Sequence, residues 1–103
     1  MAKENIDFVL HLGDYIYDTP ISYWGGRRQT PVPSVFGSQA KTLAQYRLRY
    51  SLYKTDPDLQ EVHRRFPFVC VWDDHEVEND YAGPYLQYGG SSLTRRAAAY
   101  QAF

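Results

Sequence analysis

Two short apolar runs interrupt an otherwise mixed chain. "IDFVLHL", residues 6–12, and "FVCVW", residues 68–72, are rich in β-forming residues and apolar at both odd and even positions. That pattern predicts strands buried on both faces of a parallel sheet. Between them, residues 18–40 carry Pro20, Pro31, Pro33, Gly25, Gly26 and Gly37 with no period, which predicts a long loop. Residues 41–54 place Leu43, Tyr46, Tyr50 and Tyr53 on one stripe, so a helix with a tyrosine-rich core face is expected. Asp56 followed by Pro57 reads as an N-cap with proline in the first turn of a second helix. That helix should reach about Arg65, with Leu59, Val62 and Phe66 inward. Residues 73–90 are polar and Gly-rich, and Ser91 or Ser92 can cap a last helix through "LTRRAAAYQAF". The order is strand, long loop, helices, strand, loop, helix, an α/β arrangement.

Strands joined through a helical crossover run parallel and share one C-terminal edge. Asp14 follows the first run and Asp73-Asp74-His75 follows the second, so segments far apart in sequence should meet at one rim. In open α/β sheets that rim is where ligands bind. Carboxylates, a phenol and an imidazole gathered there repel one another as bare anions and become stable around a cation. Carboxylates suit hard metals such as Ca²⁺, Mg²⁺ and Mn²⁺, and a phenolate suits Fe³⁺. Two such metals can clamp a phosphoryl group and activate a water.

Composition narrows the alternatives. The 103 residues are 44% hydrophobic and 22% charged, which suits one small globular domain. The net charge of −1 and four scattered arginine pairs argue against a nucleic-acid-binding module, which needs a clustered basic face. Ten tyrosines, five phenylalanines and two tryptophans suit amphipathic surfaces around a polar cleft. Cys70 is the lone cysteine, so no internal disulfide forms. No run approaches the roughly 20 apolar residues of a membrane span, and "MAKENID" lacks the apolar core of a signal peptide.

With both acidic segments in view, the chain resembles the PhoD-like alkaline phosphatases and phosphodiesterases of the broader metallophosphoesterase superfamily. The resemblance rests on "HLGDYIYD", residues 11–18, on residues 46–83 ending in "WDDHEVENDYAG", and on "RRAAAYQAF", residues 95–103. It implies an αββα sandwich fold and hydrolysis of a phosphate monoester or diester by a metal-activated water. It also implies a metal site of Fe³⁺ with Ca²⁺, other divalent ions being alternatives, and a parent that is often secreted, periplasmic or at the cell surface. By resemblance Asp14 bridges the metals, Tyr17 is an iron ligand, Asp74 is a metal ligand, and His75 contacts phosphate and protonates the leaving oxygen. Each has a plainer reading: a turn acid, a packed rim tyrosine, a cap and a loop histidine.

Asp73 should face away from Asp74 and serve the backbone, while Asn79 and Asp80 orient the loop or line the cleft. His11 reads as a hydrogen-bonded core histidine, His63 as solvated and Cys70 as a small buried hydrophobe. Tyr23 and Trp24 can wall a pocket or simply pack. The family's cysteine iron ligand would precede residue 1, and its later acids and histidines would follow Phe103. The expectation is therefore a partial metallophosphatase domain over residues 1–103, truncated at both ends, whose open sheet edges invite self-association. The rival is a non-catalytic fragment that binds a cation weakly or not at all. An aromatic-lined carbohydrate- or protein-binding module rests on composition alone.

Overall fold

A computed structural model describes residues 2–21 and 32–103. Tyr23 and Trp24 lie outside the described residues. Strand β1, Val9–His11, pairs in parallel with β2, Phe68–Cys70, in the register Val9–Phe68, Leu10–Val69 and His11–Cys70. The crossover between them holds a short 3-10 turn at Ser34–Gly37 and two helices, α1 at Leu43–Tyr53 and α2 at Pro57–Arg65. A third helix, α3 at Leu93–Ala102, follows β2. The mixed α/β order read from the sequence is the order observed.

Local chemistry sets the helix ends. Thr42 and Gln45 form a capping box: the Gln45 N–H donates to Thr42 Oγ1 at 3.3 Å, and the Thr42 N–H donates to Gln45 Oε1 at 3.0 Å. Asp56 Oδ1 accepts from the Leu59 N–H at 2.8 Å, with Pro57 behind it in the first turn. At α3, Ser91 Oγ accepts from the Leu93 N–H, while the buried Ser92 hydroxyl donates to Gly83 O at 2.8 Å.

The sheet departs from expectation. Its strands are three residues each, and one face is open: Phe8, Leu10, Leu12, Val69 and Val71 are each about half exposed or more. Alternation puts these five on the same side, and nothing among the described residues covers it. Cys70 is exposed rather than buried. His63, expected in solvent, stacks on Phe68 at 3.7 Å, and its Nε2 lies 2.8 Å from the Tyr15 hydroxyl. His11 is hydrogen-bonded as expected, its Nδ1 accepting from the Gly13 N–H at 3.3 Å, but it is half-buried and stands outside the core cluster.

The core lies beside the sheet, not on it. Ile16, Ala40, Tyr46, Val77 and Ala99 form its buried centre, with Tyr15, Tyr50, Tyr53 and Tyr81 packed around them. Ile16 and Val77 come from the two acidic loops, so packing α1 against α3 also fixes the loops that follow β1 and β2. Arg49, 2% exposed, ties down the return of the long connection by donating to Phe36 O, Ser38 O and Asp18 O.

Candidate metal centre

The two acidic loops touch at Gly13. Its φ is +103°, and a Cβ there would sit 2.5 Å from both Cβ and the backbone nitrogen of Asp73. Only glycine permits that backbone and that approach. Asp14 follows at φ +54°, the left-handed region that aspartate tolerates better than most residues.

Glu76 bolts the loops together. Its carboxylate is 1% exposed and accepts four backbone N–H groups: Asp14 at 3.0 Å, Tyr15 at 2.5 Å, Ile16 at 3.4 Å and Asp73 at 2.7 Å. Charge-assisted bonds of this kind are about twice as strong as neutral ones. They close the Gly-Asp turn onto the segment after β2.

This bracing gathers three carboxylates. Asp14, Asp73 and Asp74 each offer an oxygen within 4.8 Å of the others. Asp14 and Asp74 therefore share one rim. Asp73, expected to face away, joins them, because the ladder ends at Cys70 and strand alternation no longer applies. Asp14 Oδ1 is buried with no hydrogen-bond partner among the described residues, while its Oδ2 accepts from the Tyr17 hydroxyl at 3.1 Å. Asp74 Oδ2 accepts from the Asp80 N–H at 2.6 Å. Asn79 donates to Asp80 Oδ2 at 2.7 Å, as does Gln87 at 2.9 Å. Asn79 and Asp80 thus brace the loop, and Asp80 is not one of the three gathered carboxylates.

His75 lies against Tyr17, with ring centroids 4.4 Å apart. Its Nδ1 is 2.8 Å from Oδ1 of the fully buried Asp18. Burial alone pushes the imidazole pKa down. The hydrogen bond and charge of Asp18, with Asp74 and Asp14, outweigh it, so the net shift is upward. Burial, then the bond to Asp14, pushes the Tyr17 phenol up. A phenolate at Tyr17 therefore needs a cation beside it.

Two acids in "GDYIYD" thus part ways: Asp14 turns to the carboxylate cluster and Asp18 turns inward to His75. Sequence reasoning gave no role to Asp18, Glu76, Glu78 or Arg95. The available signal was their number, since a loop needs few acids and these two hold six between Asp14 and Glu78. An open groove of about 430 Å³ runs from Asp73 and Asp74 past Trp72, Tyr81, Gly83, Arg96 and Tyr100.

An unpartnered buried oxygen beside two further carboxylates is a donor set that fits a hard cation. Among the described residues, no helix is long and apolar enough to cross a membrane.

Comparison with known proteins agrees with the two-motif reading. The family model of PhoD-like phosphatases matches residues 1–103. Alkaline phosphatase D of Bacillus subtilis (strain 168) is 43% identical over 106 residues, covering all of this chain and 18% of that protein. A solved structure described as that of PhoD superposes with a TM-score of 0.83 at 45% identity, covering 99% of this chain and 20% of that one. The chain therefore spans about a fifth of the length of the relatives it matches. With a full-length family match and this level of identity, the chain belongs to the PhoD-like phosphatase family.

Proposed function

We propose that this chain is the part of a longer metal-dependent phosphoric ester hydrolase of metallophosphoesterase type that carries one wall of its metal centre. The observation that supports it most directly is the buried, unpartnered Asp14 Oδ1 within 4.8 Å of ligand oxygens from Asp73 and Asp74. Asp14, Asp73 and Asp74 would hold a hard cation such as Ca²⁺, and Tyr17 with Asp14 would suit Fe³⁺. Bound there, such ions supply Lewis acidity toward a phosphoryl oxygen and lower the pKa of an attacking water.

The residues of the chain then divide the work. Glu76 holds the Asp14 and Asp73 backbones in register, so the carboxylates need no rearrangement to receive a cation. Tyr17, whose hydroxyl donates to Asp14 Oδ2, would lose that proton to solvent if it served as a ligand. Asp18 accepts from His75 Nδ1–H, so in the protonated imidazolium the transferable proton is the one on Nε2. Water adds to phosphorus and releases one proton to solvent, the bond from phosphorus to the ester oxygen breaks, and the His75 imidazolium protonates that oxygen from Nε2 as it leaves. The groove beside Asp73 and Asp74 has room for the organic part of the ester.

The test uses the full-length enzyme in which this segment sits. Asp14→Asn should lower bound metal, measured by elemental analysis, and abolish turnover of p-nitrophenyl phosphate and its bis-ester. An Asp14→Asn enzyme with wild-type metal content and rate refutes the proposal. The 103-residue chain alone should show no turnover above metal-only controls, because it spans so little of the relatives' length.

A further inference from the structure

We propose that Arg95 of α3 is a positioning residue for His75, acting through Asp18. The inference rests on the reading of His75 as the group that protonates the leaving oxygen.

Both oxygens of the Asp18 carboxylate are committed. Oδ1 meets His75 Nδ1 at 2.8 Å, and Oδ2 accepts from Arg95 Nη2 at 2.7 Å and Gln39 Nε2 at 2.8 Å. Asp18 is 0% exposed, Arg95 7% and His75 8%, so water does not substitute for a lost partner. A carboxylate held at one oxygen can rotate about its last bond. Held at both, it presents Oδ1 to His75 in one orientation, so the protonated ring keeps its Nδ1–H on Asp18 and offers the proton on Nε2.

Arg95 is itself fixed on three sides. Its Nε donates to the Tyr46 hydroxyl at 2.8 Å, and that hydroxyl donates to Val77 O at 2.5 Å. Its Nη1 donates to Glu78, which is 8% exposed. Val77 and Glu78 lie two and three residues beyond His75 in the same loop. The network therefore leaves the loop at His75, passes through Asp18 and Arg95, and returns at Val77 and Glu78. It is a closed brace around one histidine. A network serving only to dock α3 would not need to end on the imidazole.

A lost general acid hurts poor leaving groups most, because a good one departs without a proton. In the full-length enzyme, Arg95→Gln should lower kcat about 100-fold on an alkyl or phenyl phosphate but less than about fivefold on 2,4-dinitrophenyl phosphate, with KM little changed. Asp18→Asn should show the same pattern, and the double variant should be no worse than Asp18→Asn alone. If Arg95→Gln fails to fold by thermal melt, Arg95→Lys decides. A lysine reaches one carboxylate but does not bridge two, so it should show the same pattern at smaller amplitude.

Equal losses on both substrates in the folded Arg95 variant overturn the proposal, as does additivity in the double variant. His75→Asn separates the two readings. If it shows the leaving-group pattern and Arg95 does not, only the link through Arg95 falls. If His75→Asn shows none, its role as the acid falls and the Arg95 proposal falls with it.

Discussion

Glu76→Gln is the sharpest perturbation of the centre that leaves every proposed ligand in place. The carboxylate accepts four N–H groups, two at each oxygen: Asp14 and Asp73 at Oε2, Tyr15 and Ile16 at Oε1. An amide can accept at only one end, so whichever way it turns, two backbone donors face its NH₂. Each lost bond to a charged acceptor is worth about 1.5–3 kcal/mol, and the bond at 3.4 Å belongs to the weaker end. Relief from burying an anion offsets part of this. The local loss should come to about 3 kcal/mol, on the order of a hundredfold in the opening equilibrium of the turn. Hydrogen exchange, read peptide by peptide in the full-length enzyme, tests this directly. Amides 14–16 and 73 should exchange much faster in the variant, and helix α1 should change little. Glu61→Gln is the control, since Glu61 pairs with the exposed Arg64 on the surface of α2. Unchanged exchange at Asp14 and Asp73 would refute the claim that Glu76 holds the loops together.

Gly13→Ala adds a Cβ 2.5 Å from the Asp73 backbone nitrogen at φ +103°, and should cost about 2–4 kcal/mol in urea unfolding and reduce bound metal. Tyr50→Phe removes a buried hydroxyl with no partner among the described residues, and should raise stability by about 1 kcal/mol in the same assay. The His63 pKa is lowered by burial, then by Lys54 and His11, in a site also faced by Tyr15 and Phe68. Its contribution is therefore present above the unfolded value of about 6.5 and lost as pH falls below it, so His63→Gln should flatten the decline in stability from pH 7.5 to about 5.5. The isolated chain should self-associate through the open sheet face in sedimentation runs, and Leu10→Lys with Val69→Lys should return it to monomer.

What the sequence made legible was what depends on near neighbours. The Asp56-Pro57 start of α2 and the tyrosine stripe of α1 are local patterns, and Tyr46 is indeed fully buried. The meeting of Asp14 with Asp74 was legible because parallel strands share an edge whatever their side chains do. The position of the core was not, since it needs Ile16 and Val77, two apolar residues embedded in acidic loops. Asp73 was misplaced because strand alternation was carried past the end of the ladder, where the Glu76 carboxylate takes its N–H and turns the chain. His63 was misplaced for a similar reason: a polar residue on an amphipathic helix looks solvated until the face beneath it carries Phe68 and the Tyr15 hydroxyl.

The buried charges were the least legible. Asp18, Glu76, Glu78 and Arg95 read as surface in any scale of hydrophobicity, and each is at most 8% exposed. A buried ion pair is weak support for stability, because desolvation cancels much of the attraction. A chain with so small an apolar centre would be easier to stabilise by replacing Asp18 and Arg95 with well-packed hydrophobic residues. What such a replacement cannot do is hold an imidazole at one angle beside three carboxylates. The same reasoning separates the two acids of "GDYIYD": Asp14 keeps an oxygen without a partner, and Asp18 has none to spare. Four residues apart, one is left unsatisfied where a cation would complete it, and the other is saturated where the proposed proton donor, His75, is held.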